Sequence, residues 1–523
     1  MSLTYKPRIK REPSQAVRPT ASPLLTLAAL LSLFFVALPL YYLFRRALES
    51  DFESLRLVIF RAKTLEVLLT TVSLVTSVAT LATLIGFAIA WFLYSVKLPL
   101  ANLLRALAIL PIAIPSYVFT YSWLSLDLFP GGFLAAVIVL TLSTAPYVVL
   151  AAMAALRRID SSQIDVAQTL GSNQFQILFR ITLPQVRNAL SAGALLVALY
   201  VLSDFGAVSL LGVDTFTRAI QNTYQGSFDR SSAAVLALML VSVSALVISI
   251  ETSTRRRSRL VKSSVAITRQ PDQIERRRVQ VIATSFISIY LLAALIAPLA
   301  VLVFRFINRP EAVDFAKLIA AAFSTVLVSS LGAMIALALA LPVAILALRT
   351  SPLGKVAERG VLLVNALPGI VMGLALVAFG SDLPWIYQTV GLLALSYSIL
   401  FLARSVGTIR NSLARVPENL TEIAATLGQP RSRVFYRVTL PLAAPGILTG
   451  TLLVFLSAMK ELPATLMLRP TGFETLATEI WNNTAIFRFS EAAPYALLLV
   501  VIAAIPTFLI SRPDRESERG ELP

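Results

Sequence analysis

Cysteine and histidine are both missing from the 523-residue chain. Their absence excludes disulfides, thiolate chemistry, the usual zinc ligands and imidazole general bases together. Charge is scarce too, at 14% of residues, against about a quarter in a soluble domain. A Gly-x-x-x-x-Gly-Lys-Ser/Thr phosphate loop is also lacking, because Gly354-Lys355 is followed by Val356 and has no glycine at the earlier position. The chain therefore has no ATP-hydrolysing motif of its own. No loop gathers several carboxylates, so no enzyme active site is evident.

What is present is apolar. Hydrophobic residues make up 57% of the chain and mean hydropathy is +0.78. Uncharged runs cover 24–44, 67–96, 106–126, 128–156, 188–203 and 231–250, then 279–304, 318–348, 360–380, 383–403, 438–459 and 492–511. Most reach the roughly 20 residues needed to cross about 30 Å of hydrocarbon, and the fifth reaches it only by including Asp204 or its neighbours. The first run is too long for a signal peptide and lacks a small-residue cleavage site, so it reads as an uncleaved span. The expected fold is an all-α integral membrane protein of about 12 transmembrane helices.

The spans fall into two equal series. Asp165 and Glu422, Ala167 and Ala424, Gly171 and Gly428, Arg180 and Arg437, and Pro184 and Pro441 each lie 257 residues apart. The same offset links Pro111 with Pro368 upstream, and Asp204 with Glu461, Phe216 with Phe473 and Tyr224 with Trp481 downstream. A duplicated half is the simplest reading. Six spans per half give the halves one orientation, as parallel six-helix repeats. The expected division is a tail at 1–22, a first repeat at 23–251, a basic linker at 252–278, a second repeat at 279–511 and a tail at 512–523.

Basic residues orient the series. The linker carries Arg255, Arg256, Arg257, Arg259, Lys262, Arg269, Arg276, Arg277 and Arg278, without apolar periodicity. Arg157, Arg158 and Arg180 flank the first copy of the repeated segment, and Arg404, Arg410, Arg415, Arg431, Arg433 and Arg437 the second. The positive-inside rule puts these, with both tails, in the cytoplasm. Arg45, Arg46, Arg56, Arg61 and Lys63 then fall outside, diluted by Asp51 and Glu53. The net charge of +17 is thereby an orientation signal rather than a nucleic-acid footprint.

The repeated segments, 165–184 and 422–441, read as a short helix, a glycine turn, a second short helix at the cytoplasmic surface, and a Leu-Pro leading into the next span. Here the sequence resembles the permease subunits of ATP-binding cassette importers, whose cytoplasmic loop has an acid-Ala-Ala run, a glycine six residues after the acid, then hydrophobic-x-Leu-Pro. Glu422, Ala424, Gly428, Val438, Leu440 and Pro441 match it in the second half; Asp165, Ala167, Gly171, Ile181, Leu183 and Pro184 match in the first, with Asp for Glu. The resemblance implies that each loop docks on an ATPase subunit and couples ATP-driven closure to the permease. Segments 203–220 and 459–481 extend the similarity to fused, two-domain permeases for ferric iron. That implies two ATPase subunits binding ATP-Mg, a periplasmic ferric-iron-binding protein, a lipid environment, no nucleic acid, no cofactor or tightly bound metal in this chain, and an inner-membrane location with cytoplasmic termini. Permeases for thiamine, sulfate, polyamines or phosphonates share the scaffold, and a 12-helix secondary transporter is the rival class.

Asp204, Lys460 and Glu461 end the fifth span of each half. Ionisable groups at membrane depth are functional candidates, so these three are the expected pathway or gate residues. Pro111, Pro115 and Pro368 should kink the third span of each half.

Overall fold

The computed structural model describes residues 23–511, except positions 50, 128–130, 228, 259–272, 309–313, 349–351, 365–366, 418–419, 421–422 and 425. Both tails, most of the basic linker and Glu422 lie outside the described residues. Among the described residues the chain is helical, with one isolated bridge between Val96 and Ile274 and no strand. Nine helices there are long and apolar enough to cross a membrane, and three sharply bent pairs bring the total to twelve.

Two of the bends are the expected proline breaks. Ala101–Ala113 meets Ser116–Leu124 at 93°, and Pro352–Val364 meets Gly369–Asp382 at 107°. Pro115 and Pro368 each sit in extended backbone immediately before the second helix. A proline there forgoes an N–H that a helix start does not use. Pro115, not Pro111, is thus the structural partner of Pro368, and the 257-residue register does not extend that far upstream.

Downstream the register slips again. Thr215 and Thr475 begin equivalent helices, Phe216–Gly226 and Leu476–Thr484, and Gly212 and Gly472 make equivalent turns at φ +74° and +77°. The Phe216 N–H donates to Thr71 Oγ1 at 3.1 Å, and the Leu476 N–H donates to Thr325 Oγ1 at 2.8 Å. Phe216 is therefore matched by Leu476 rather than Phe473. Each threonine satisfies a helix N-terminal amide from the second span of its own half, where water is scarce.

The fifth span is longer than its uncharged run. It runs without a break from Gln174 to Ser203, and its counterpart from Phe435 to Ala458. Pro184 and Pro441 therefore lie inside continuous helices, where a second separate surface helix was expected. The backbone accommodates each with a π turn, Leu178–Thr182 and Phe435–Thr439, in which the Leu183 N–H reaches Leu178 O and the Leu440 N–H reaches Phe435 O. A third π turn, Leu292–Ile296, precedes Ala297-Pro298 in the same way. A proline ring crowds the carbonyl four residues back, and opening the turn by one residue relieves it.

The first span of each half packs on the other half. Ser32 Oγ in Pro23–Ala47 donates to Leu339 O at 2.9 Å, Tyr42 meets Phe379 edge-on, and Arg45 pairs with Asp382. Reciprocally, in the seventh span, Arg277–Ile307, Tyr290 Oη donates to Leu142 O at 3.1 Å, Arg305 to Ser125 O at 2.5 Å, and Phe286 packs on Phe92. The sequence repeats are contiguous, whereas the packed units exchange one helix each.

Small residues let helices approach closely where no hydrophobic effect drives them together. A Cβ on Gly86 would lie 2.7 Å from Val148 Cβ and 2.8 Å from Ala145 O. Gly86→Val should lower the thermal midpoint in detergent, with overpacking of about 1–3 kcal/mol. Gly226→Ala, at a helix end with open space around it, should leave the midpoint unchanged or raise it. Equal midpoints for Gly86→Val and the parent would show that this crossing is not tightly packed.

Candidate functional site

The repeated loops end in matching turns. The helix Ser161–Thr169 is capped by Asp160, whose carboxylate accepts the Ser162 N–H. It stops where the Gly171 N–H meets Gln168 O and the Ser172 N–H meets Ala167 O, both at 2.9 Å. These are the two bonds of a Schellman turn, which needs a left-handed residue at the glycine position. Gly171 has φ +81° and Gly428 φ +72°, and in the second loop the Gln429 N–H meets Ala424 O at 3.2 Å. The six-residue spacing thus runs from Asp165 in the middle of this helix to the glycine of its C-terminal turn.

Asp165, Gly171 and Pro184 are exposed, Ala167 is buried and Leu183 half-buried; Gly428 and Pro441 are exposed, Ala424 and Leu440 half-buried. Beside them apolar side chains also face out. Val166 is 57% and Leu170 79% exposed, and their counterparts Ile423 and Leu427 are 54% and 73% exposed. These paired apolar residues lie in segments flanked by arginines in both halves.

Among the described residues, the first loop has the end of the linker as a neighbour. Ile274, near the end of the linker, donates its N–H to Ser95 O at 2.8 Å and accepts from the Lys97 N–H at 3.2 Å. It closes a narrow crevice with Ile164, Gln168 and Ile177. Lys97 Nζ bonds Glu275 at 2.8 Å and holds that carboxyl below the usual carboxylate range. The linker's described end is therefore fastened to the first half.

At the other end of each fifth span, the expected pathway residues meet. A cavity of about 160 Å³ is lined by both halves, and Asp204, Lys460 and Glu461 all face it. Its wall includes pairs related by the 257-residue register: Asp204 with Glu461, Ser203 with Lys460, Tyr200 with Ser457, and Tyr147 with Arg404. The cavity therefore straddles the pseudo-twofold axis relating the repeats.

Both acids do structural work there. Asp204 Oδ1 accepts the Ala207 N–H at 3.0 Å and the Val208 N–H at 3.4 Å, and Glu461 Oε1 accepts the Ala464 N–H at 3.1 Å. They cap the short helices Gly206–Leu210 and Pro463–Leu468. Lys460 Nζ donates across the axis to Ile112 O at 2.9 Å. Gly369 leaves room for Glu461, whose carboxylate oxygen is the first atom a Cβ there would strike.

Arg404, grouped by the sequence with the cytoplasmic arginines, is an exposed side chain that lines the cavity. The tenth span bends by 55° between Val390–Leu400 and Leu402–Ala414 and continues past this residue. The Arg404 guanidinium lies 4.9 Å from the Phe401 ring centroid and donates to the Ser457 hydroxyl. The repeat register held the clue, since its partner Tyr147 sits deep within an uncharged run. Tyr117 also lines the cavity, its hydroxyl buried with no hydrogen-bond partner, and nothing in the sequence distinguishes it from other span tyrosines.

The Schellman geometry makes a sharp prediction. Gly428→Val should abolish coupled transport while the protein still inserts, because a β-branched residue resists positive φ by about 1–2 kcal/mol or more. Gly428→Asn, which tolerates that conformation, should keep most activity. Comparable transport by both variants would remove the turn from the mechanism.

Comparison with known proteins bears on the chain as a whole. The family described as binding-protein-dependent transport system inner membrane component matches twice, over residues 82–259 and 332–512. The Fe(3+)-transport system permease protein FbpB 2 of Haemophilus influenzae is 31% identical over 498 residues, 93% of this chain and 98% of that one. The molybdenum transport system permease protein ModB of the same species is 37% identical over 143 residues, 25% of this chain and 62% of its own. The diacetylchitobiose uptake system permease protein DasC of Streptomyces coelicolor is 30% identical over 154 residues, 27% of this chain and 55% of its own. Two glycine-ended loops, two matched series of spans and two matches to one family lead to the same place: the chain belongs to the inner membrane components of binding-protein-dependent transport systems, as a multi-pass permease with two copies of the family domain.

Proposed function

We propose that this permease forms the complete translocation path of an ATP-driven importer of ferric iron, fed by a periplasmic iron-binding protein and powered by two separate ATPase subunits. The substrate reading is supported by the near full-length similarity to an Fe(3+) permease. Each ATPase binds ATP-Mg and seats one loop, at Asp165 to Gly171 or at Glu422 to Gly428, against the exposed apolar pairs. Both termini and the linker lie on that cytoplasmic side, by the distribution of arginines.

One observation carries the coupling. The helix that leaves the first loop runs unbroken from Gln174 to Ser203, about 45 Å at 1.5 Å per residue, and ends beside Asp204 in the cavity. Its counterpart ends beside Lys460 and Glu461. A displacement of either loop is delivered to the cavity along a continuous rod, and the exchanged first and seventh spans hold the two halves together around that cavity. Among the described residues no three His, Cys, Asp or Glu side chains gather as a metal site. Weak binding suits a path that must release its cargo, and tight recognition falls to the binding protein.

Iron uptake into vesicles holding this chain, its ATPase and iron-loaded binding protein tests the reading. Radioactive iron should accumulate only with ATP, and Asp165→Lys and Glu422→Lys should each reduce it at least tenfold while insertion is kept. Hydrolysis of ATP without iron entry would leave the coupling reading standing and remove iron as the substrate. Uptake without any ATPase would remove both.

A further inference from the structure

The cavity's acids and bases are distributed differently. The acids are symmetric, with one from each half at equivalent positions, Asp204 and Glu461. The bases are not: Arg404 and Lys460 both come from the second half, and their first-half counterparts are Tyr147 and Ser203. Neither base forms an ion pair among the described residues. Lys460 spends one donor on Ile112 O, and Arg404 one on the Ser457 hydroxyl. An ammonium has three donors and a guanidinium five, so most of their donors remain for something else.

A bare trivalent cation gains nothing from two adjacent positive charges. It would be repelled by them, and a path for a naked metal ion has no use for an arginine and a lysine on one wall. A cargo that is cationic at its centre and anionic at one side fits both features: oxygen donors of Asp204 and Glu461 for the hard metal, and Arg404 with Lys460 for an oxyanion. Arginine in particular presents a planar fork that matches carboxylate and phosphate. The Tyr117 hydroxyl, buried without a partner at this wall, marks a polar group left unsatisfied in the form of the cavity seen here.

We propose that the ferric ion crosses with an oxyanion ligand still attached, a carboxylate or phosphate, and that Arg404 and Lys460 receive that ligand in the cavity. This rests on the iron reading above. It assigns the two bases to cargo recognition, and it means that the ligand enters the cell with the metal.

A double-label uptake experiment tests it. The binding protein is loaded with radioactive iron and either [32P]phosphate or [14C]citrate, and both labels are followed into vesicles holding the permease and its ATPase. The anion label should enter with iron at close to one per metal in at least one of the two loadings, and the loading that does so identifies which oxyanion class is carried. Arg404→Gln combined with Lys460→Gln should lower the anion-to-iron ratio at least fivefold, and Arg404→Lys should largely restore it. That ratio does not depend on how much protein folds or inserts. Iron entry with neither label, or a ratio unmoved by the double variant, overturns the proposal and leaves iron transport intact. Absence of iron entry with every loading overturns the iron reading itself.

Discussion

Two carboxylates hold the centre of this protein open. Where each fifth span ends, the backbone turns and starts a new short helix whose first amides are buried. Asp204 and Glu461 accept those amides. An unsatisfied backbone group at that depth costs several kcal/mol, so the turn exists because the acid is there. The cavity wall and the short helices beyond it, Gly206–Leu210 and Pro463–Leu468, adjoin that turn. A structural duty and a place on the path are combined in the same side chains.

The second dependence is mechanical. Proline inside a helix usually kinks or breaks it, yet at Pro184 and Pro441 the chain opens a single π turn and carries on. The result joins a surface loop to a buried cavity without a joint. The loop itself is defined by a glycine that only a left-handed conformation satisfies, at Gly171 and Gly428. A stiff rod with a rigid terminal turn transmits displacement, whereas two helices joined by a flexible link would absorb it.

Symmetry and its breaking divide the labour. Exchange of the first and seventh spans, through Ser32 with Leu339 and Tyr290 with Leu142, ties two like halves into one body. Against that symmetric frame the differences stand out. Among the described residues the linker's end at Ile274 bonds Ser95 and Lys97 of the first half, and only the second half brings bases to the cavity. A duplicated gene that keeps both copies in one chain is free to let them diverge in this way, because each copy always meets the other.

Much of this was determined by the sequence alone. Membrane class and span number follow from run length and the exclusion of charge from hydrocarbon, which are local properties. The duplication and the loop at each acid–glycine pair are equally local, since they rest on spacing. The pairing of Asp204 with Glu461 was also legible, from the repeat register. Tertiary structure decided the rest. A membrane span is apolar on all sides, so its sequence does not say which neighbour it packs on, and the exchange of spans one and seven was invisible. Arg404 looked like the first charge past a span because a bend let the helix continue beyond it. The slips at Pro115 and Thr475 came from insertions that a fixed offset does not see. The cavity itself exists only where six spans, three from each half, converge, and no single stretch of chain contains that fact.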